Sequence, residues 1–252
     1  MSLKLGMSRT VSRPDFRELS QFEFTDIIGG FAVVGNPHLK QSLISNYDIR
    51  WEWIYDSLNL LAISVFYKYF ENPIEVILEA TAQNRISYDN ALSAQNLGVE
   101  FEIRQNLGSL IPVLIPFRTS ANLALIKSNA EFSDSSRGIQ TNNNRPLHGQ
   151  SPYLLNLNLD YTDRKYATYA GIYLHVFGKR IAQVGARPLP DVYEMPHPAL
   201  DLMIQQPLKH NLNLKASLQN VLNPEIRFEQ DGHPTEKYKT GRVFSLGISF
   251  KN

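Results

Sequence analysis

The feature that most constrains this chain is an alternation of polar and apolar residues that persists over segments of ten residues and more. From position 46 the sequence runs N-Y-D-I-R-W-E-W-I-Y. Asn46, Asp48, Arg50 and Glu52 fall on one side of an extended strand, and Tyr47, Ile49, Trp51 and Trp53 on the other. A helix would scatter those charges around its axis, so the helical template fails. The pattern returns downstream. Leu97, Val99, Phe101 and Ile103 oppose Gly98, Glu100, Glu102 and Arg104, and Leu155, Leu157, Leu159 and Tyr161 oppose Asn156, Asn158 and Asp160. Leu212, Leu214, Ala216 and Leu218 oppose Asn213, Lys215, Ser217 and Gln219, and Phe244, Leu246, Ile248 and Phe250 oppose Ser245, Gly247 and Ser249.

About ten strands are expected, near residues 3–11, 41–55, 58–70, 92–106, 117–131, 151–162, 166–180, 193–207, 211–221 and 238–250. Strands in soluble sheets are typically about five or six residues long, whereas crossing a bilayer takes about 9–11 tilted residues. The links between strands alternate in length. Short ones fall at 56–57, 162–165 and 208–210, with an intermediate one at 107–116; long ones fall near 12–40, 71–91, 132–150, 181–192 and 222–237. Tight turns on one side and long loops on the other are the pattern of an outer-membrane barrel, with the loops outside the cell.

The expected fold is therefore all-β: an antiparallel transmembrane β-barrel of meandering strands, partial or closed into a small barrel, with residues 1–252 as a single domain. A soluble up-and-down barrel or sandwich shows the same alternation with its apolar face turned inward. Strand length, loop asymmetry and aromatic residues near strand ends (Trp51, Trp53, Tyr55, Tyr67, Tyr153, Tyr161, Phe250) favour the membrane form, where such rings make interfacial girdles.

Composition removes several other classes. Lys and Arg number 25 against 24 Asp and Glu, without the basic excess of a nucleic-acid binder, and no nucleic-acid partner is expected. Cysteine is absent, so there is neither a disulfide framework nor a thiolate site. No run approaches the ~18–20 apolar residues of a membrane-spanning helix, and residues 1–6 do not read as a signal peptide. The six histidines (His38, His148, His175, His197, His210, His233) are scattered without metal-ligand spacing and are expected to be solvated or loop residues. Neither a catalytic constellation, a cofactor site nor a metal site is expected.

Asp48, Arg50, Glu52, Glu100, Glu102 and Arg104 are the candidate lumen-facing charges, expected to pair with one another across neighbouring strands. The run 137–145, with Arg137 and Arg145 flanking Thr141 and Asn142 to Asn144, reads as a hydrophilic loop with a possible polar ligand. Pro14 should end strand pairing because it lacks a donor, and the asparagines of Asn220-Val221-Leu222-Asn223-Pro224 should turn the chain out of its strand.

Several strings, in order, resemble those of TonB-dependent outer-membrane receptors, most of all receptors of the Bacteroidetes type. They are Ser12-Arg13-Pro14-Asp15-Phe16-Arg17-Glu18-Leu19, Gly35-Asn36-Pro37-His38-Leu39-Lys40, Phe66-Tyr67-Lys68-Tyr69-Phe70 with Asn72-Pro73-Ile74-Glu75, and Asn96-Leu97-Gly98-Val99-Glu100-Phe101-Glu102. Leu218-Gln219-Asn220-Val221-Leu222-Asn223 and Gly241-Arg242-Val243-Phe244-Ser245-Leu246-Gly247 follow near the C-terminus. The resemblance implies a barrel of about 22 strands plugged by an N-terminal domain that engages TonB. The chain would then be the C-terminal part of such a receptor without the plug. The family usually ends on an aromatic residue, and here Phe250 is followed by Lys251-Asn252.

The implied function is uptake of a nutrient such as a siderophore, glycan or peptide across the outer membrane of a Gram-negative bacterium, with no enzymatic activity. Implied partners are outer-membrane lipid, the remaining barrel and plug if the gene is split, and TonB through the absent N-terminal part only. A truncated or split gene product with a structural role or none, and a soluble ligand-binding β-barrel, are the alternatives.

Overall fold

A computed structural model describes residues 1–25, 31–56, 58–79, 85–133, 139–208 and 211–250. Ten strands follow one another in a single antiparallel sheet whose spatial order is the order of the chain: β1 (Ser2–Ser12), β2 (Ser42–Asp56), β3 (Asn59–Glu71), β4 (Ser93–Asn106), β5 (Phe117–Glu131), β6 (Tyr153–Thr162), β7 (Tyr169–Phe177), β8 (Ala199–Pro207), β9 (Leu212–Gln219) and β10 (Val243–Phe250). The sheet is not closed: among the described residues β1 pairs only with β2, and β10 only with β9.

Register explains why the alternation in sequence survives in space. A slip of one residue at any pair would swap the two faces of every strand beyond it. The one register shift in the described wall, between Ile54 and Asp56, falls at the end of β2 beside the turn into β3, and the pairing stays in step elsewhere. One row runs Leu3, Trp51, Ile63, Phe101, Leu123, Leu155 and Val176. The adjacent row runs Ser2, Glu52, Ala62, Glu102, Asn122, Asn156, His175 and Ala199. Through the middle of the wall one face is thus predominantly apolar and the other predominantly polar, while towards the crown both faces are mixed, as with Arg9, Ser45 and Lys127 on the first and Ile44 and Phe70 on the second. The apolar face is uncovered even in mid-strand, with Ile49 52 % and Leu97 49 % exposed. A soluble barrel would turn this face inward. No described helix is long and apolar enough to cross a membrane.

All ten expected strands are present, and the differences lie at their ends. The expected strand 193–207 splits: Val192–Glu194 pairs elsewhere, and β8 starts only at Ala199. Pro196 and Pro198 stand between the two and cannot donate to a ladder. The segment 238–250 likewise breaks at Gly241, whose φ of +83° is the left-handed region.

The largest departure is in the long links, which fold into a crown over one end of the wall. Phe24–Thr25, Ala32–Val33, Arg85–Asn90 and Ile74–Glu79 form a four-stranded sheet from the first and second loops. Arg180–Gln183, Val192–Glu194, Ile226–Gln230 and His233–Tyr238 form another from the fourth and fifth. Asn144–Arg145 in the third loop extends the ladder of β5. Where crown meets wall, Ile77, Ala91, Ala94, Ala130 and Phe132 make a small buried core, with Phe70 and Leu147 packed against it.

Candidate functional site

The first loop leaves β1 at Ser12-Arg13-Pro14 and enters the short helix Phe16–Leu19, whose Glu18 carboxylate accepts from the Asp15 amide at 2.8 Å. Gly35 then returns against this helix so closely that a Cβ would sit 2.6 Å from the Arg17 and Glu18 carbonyl oxygens. Only glycine fits, which gives the Gly35-Asn36-Pro37 string a physical reason. Asn36 Nδ2 donates to the Tyr88 carbonyl at 3.1 Å, and Asn90 binds the backbone of Lys40 and Asn72, so asparagine side chains fasten the first loop to the second.

Arg145 fastens the second loop to the third. Its guanidinium donates to Glu75 Oε2 at 2.7 Å and to the Val76 carbonyl at 2.8 Å, and lies 4.8 Å over the Phe132 ring. Third and fourth loops meet through Asn142 Nδ2 to Asp191 Oδ2 at 3.0 Å and the Thr141 amide to the Gly185 carbonyl at 3.0 Å. In the fourth loop, burial pushes the Tyr193 phenol above its ordinary pKa, and the Asp191 carboxylate adds to the effect.

Beneath this crown lies a cavity of about 530 Å³. Ser42, Ile44, Phe70 and Leu154 of the polar face form its wall; Arg13, Asp15, Glu75, His148, Gln150 and Arg180 come from four different loops. Several of these groups are already engaged: Glu75 by Arg145, Arg180 by Glu194 at 2.7 Å, and His148 Nε2 by the Ala182 carbonyl oxygen at 3.1 Å. Gln150 is bonded to Asn96 and the Ser151 carbonyl and Asp15 caps the first-loop helix, so with Arg13 they line the cavity without a dominant charge. No group of metal-ligating side chains occurs among the described residues.

The charges singled out in the sequence lie together on the polar face. Arg50 bonds Glu52 at 2.6 Å and Glu102 at 2.7 Å, Arg104 bonds Glu102 at 2.7 Å, and Lys4 extends the chain to Glu52 at 2.7 Å. Asp48 and Glu100 line a recess beside Arg50, Ser64, Phe66 and Lys68. A second polar cluster joins the Tyr169 and Tyr173 hydroxyls to Asp160 at 2.5 and 3.2 Å. Of the histidines, His38 and His233 are exposed, His175 Nδ1 contacts Asn156 Oδ1 at 2.6 Å, and His197 packs edge-on against Phe177. His210 and Arg137 lie outside the described residues. Glu75 and the crown role of Arg145 were not visible in sequence. Arg145 sits in a run of polar residues, and only its position beside Pro146 and Leu147 hinted at burial.

Solved structures of similar shape are receptors and transporters. The ferric enterobactin receptor of Pseudomonas aeruginosa is 17 % identical with a TM-score of 0.64, covering 98 % of this chain and 37 % of that one. The copper transporter OprC is 16 % identical with a TM-score of 0.67, over 98 % and 36 %. The siderophore receptor PirA of Acinetobacter baumannii is 12 % identical with a TM-score of 0.64, over 98 % and 38 %. The chain therefore spans little more than a third of each. No curated protein sequence matches. The family model described as TonB dependent receptor-like, beta-barrel, matches residues 1–221. With that match over most of its length and a wall superposable on such receptors, this chain belongs to the TonB-dependent receptor β-barrel family, whose members are outer-membrane proteins of Gram-negative bacteria.

Proposed function

We propose that residues 1–252 form one wall-and-crown unit of an outer-membrane receptor that takes up a nutrient such as a siderophore, glycan or peptide. In this reading the apolar face meets lipid and the polar face lines the lumen, which puts Asp48, Arg50, Glu52, Glu100, Glu102 and Arg104 along the transport path. Cargo is held first in the cavity beneath the crown. Transport and its coupling to TonB belong to the assembled receptor, including the plug and remaining barrel that the family implies. The observation that carries the proposal is the register, in step through the middle of the wall: there the ten strands keep one face predominantly apolar and the other predominantly polar, and the crown closes over the polar side.

Gln150→Trp, which fills the cavity from the third loop, tests this. Cells making the receptor are grown with a ferric siderophore, an oligosaccharide or an oligopeptide as the sole source of the limiting nutrient. Expected is loss of growth on one class alone, with the variant's surface abundance unchanged. Wild-type growth on all three classes would overturn the cavity as the capture site.

A further inference from the structure

Four short connections close the wall at the end opposite the crown, and one is unlike the rest. Asp56 marks the first, Asp163, Arg164 and Lys165 occupy the third, and Lys209 is in the fourth. The second, residues 107–116, reads L-G-S-L-I-P-V-L-I-P, with six large aliphatic side chains and no charge. Its aliphatic groups are not packed away: Leu110 is 69 %, Ile111 52 %, Val113 78 % and Ile115 42 % exposed.

Several of the segment's polar groups, in contrast, are bonded locally. It coils as two short 3-10 turns, Leu107–Ser109 and Pro112–Leu114. Within them the amides of Leu110 and Ile111 donate to the Leu107 carbonyl, that of Leu114 to Ile111, and that of Ile115 to Pro112. The Gly108 amide is capped by Asn106 Oδ1 at 2.9 Å. Both Pro112 and Pro116 have no amide hydrogen to satisfy. Ser109 is held by Gln105 Nε2 at 2.6 Å and donates to the Asn106 carbonyl, while Asn59 Oδ1 takes the Asn106 amide at 2.7 Å. A backbone that bonds several of its own amides, carrying outward aliphatic groups, lowers the cost of contact with hydrocarbon.

We infer that residues 107–116 form a foot seated in the periplasmic leaflet of the outer membrane, with Leu110, Ile111 and Val113 at the boundary between phospholipid headgroups and acyl chains. The inference rests on the proposal that the apolar face meets lipid. Its further support is continuity. Phe117 and Tyr161 make a tilted ring contact on that face at the end of β5 and β6, 5.1 Å apart, next to where the segment re-enters the sheet, and Trp53 and Tyr55 pair at 4.9 Å at the same end of β2. Such rings mark the headgroup level, and the foot lies at that level. A specific protein partner is the less suitable occupant, because protein interfaces carry about one hydrogen bond per 100–200 Å² and this surface offers almost none. Lipid asks for no such directionality.

Because the chain has no cysteine of its own, Val113→Cys gives a single handle for a water-soluble maleimide. Arg164→Cys, in a charged turn at the same end, is the aqueous reference, and Ile103→Cys on the apolar face is the lipid reference. Labelling is measured in isolated outer membranes and in phospholipid vesicles that contain the purified protein and no other, with urea-unfolded protein as the accessibility standard. Expected at position 113 is labelling about tenfold or more slower than at 164 in both settings, the factor that accompanies removal of one aliphatic side chain from water. Equal rates at 113 and 164 would overturn the foot while leaving the receptor reading intact. Protection in native membranes but not in vesicles would assign the surface to a protein partner and also overturn it. Fast labelling at 103 would instead sink the lipid-facing assignment, and the foot with it.

Discussion

Arg145→Met removes one partner of an ion pair whose side chains are 1 % and 6 % exposed. Glu75 would keep one weak partner, the His148 amide at 3.3 Å, and would otherwise lie buried without a countercharge. Breaking a buried pair from one side costs about 3–5 kcal/mol, most of it the penalty on the carboxylate left behind. At about 1.4 kcal/mol per tenfold, the cost should raise the open population of the second and third loops by roughly two to three and a half powers of ten. Amide hydrogen exchange of peptides covering Ile74–Glu79 and residues 144–151, followed by mass spectrometry on the protein in detergent or lipid, reads this directly. Exchange in the wall strands β3 and β4 should stay as it was, because the pair lies in the crown. The double variant Arg145→Met with Glu75→Gln should recover much of the loss, since no buried charge remains. A rise below about fivefold in the single variant, under 1 kcal/mol, would refute the claim that this pair locks the crown.

Three further outcomes follow from the wall. The Phe66 ring occupies the space a side chain at Gly98 would need, so Gly98→Val should cost about 1–3 kcal/mol in a denaturant titration, and Phe66→Ala in that background should restore part of it. Val99→Arg, on the apolar face between Val65 and Leu125, should cost about 2–4 kcal/mol in lipid vesicles, while Asn122→Lys on the polar face should stay within about 0.5 kcal/mol; equal costs would contradict the assignment of faces. Glu102→Gln unties both Arg50 and Arg104, yet these groups are partly solvated, so a loss of about 1 kcal/mol or less is expected, shrinking as salt is added. A larger, salt-independent loss would mean the ladder is drier than its exposure indicates.

What could be read from the residues, and what could not, divides along the same physical line. The wall was legible because a strand's period is two and the sheet keeps its register, so each strand reports its faces independently of its neighbours. Tyr47, Ile49 and Trp51 are enough to place β2, whatever pairs with it. The charges of Arg50, Glu52, Glu102 and Arg104 were legible as a group for the same reason. The crown was not legible. Its strands, such as Ala32–Val33 and Asn144–Arg145, are two residues long and carry no detectable period. Some of their partners lie fifty or more residues away, as Arg85–Ile86 for Ala32–Val33 and Glu75 for Arg145, and nothing local in Thr141-Asn142-Asn143-Asn144-Arg145 distinguishes a buried arginine from a solvated one. Residues 107–116 fall between the two cases: their apolar content was plain, but not that several of their amides bond within the segment.

The loops of the crown join hands in the same order as the strands of the wall: first with second, second with third, third with fourth, fourth with fifth. This bears on assembly. Each hairpin added to the growing sheet brings a loop whose partner is already in place, so the crown never has to wait for the two ends of the chain to meet. The entropy of closing long loops is met in small steps, because each loop meets the next one along the chain and not a distant one. A β-rich chain of this size would ordinarily expose unpaired edges for a long time during folding. In a sheet laid down in chain order, the advancing edge at each stage is a single strand, while β1 keeps the other edge open.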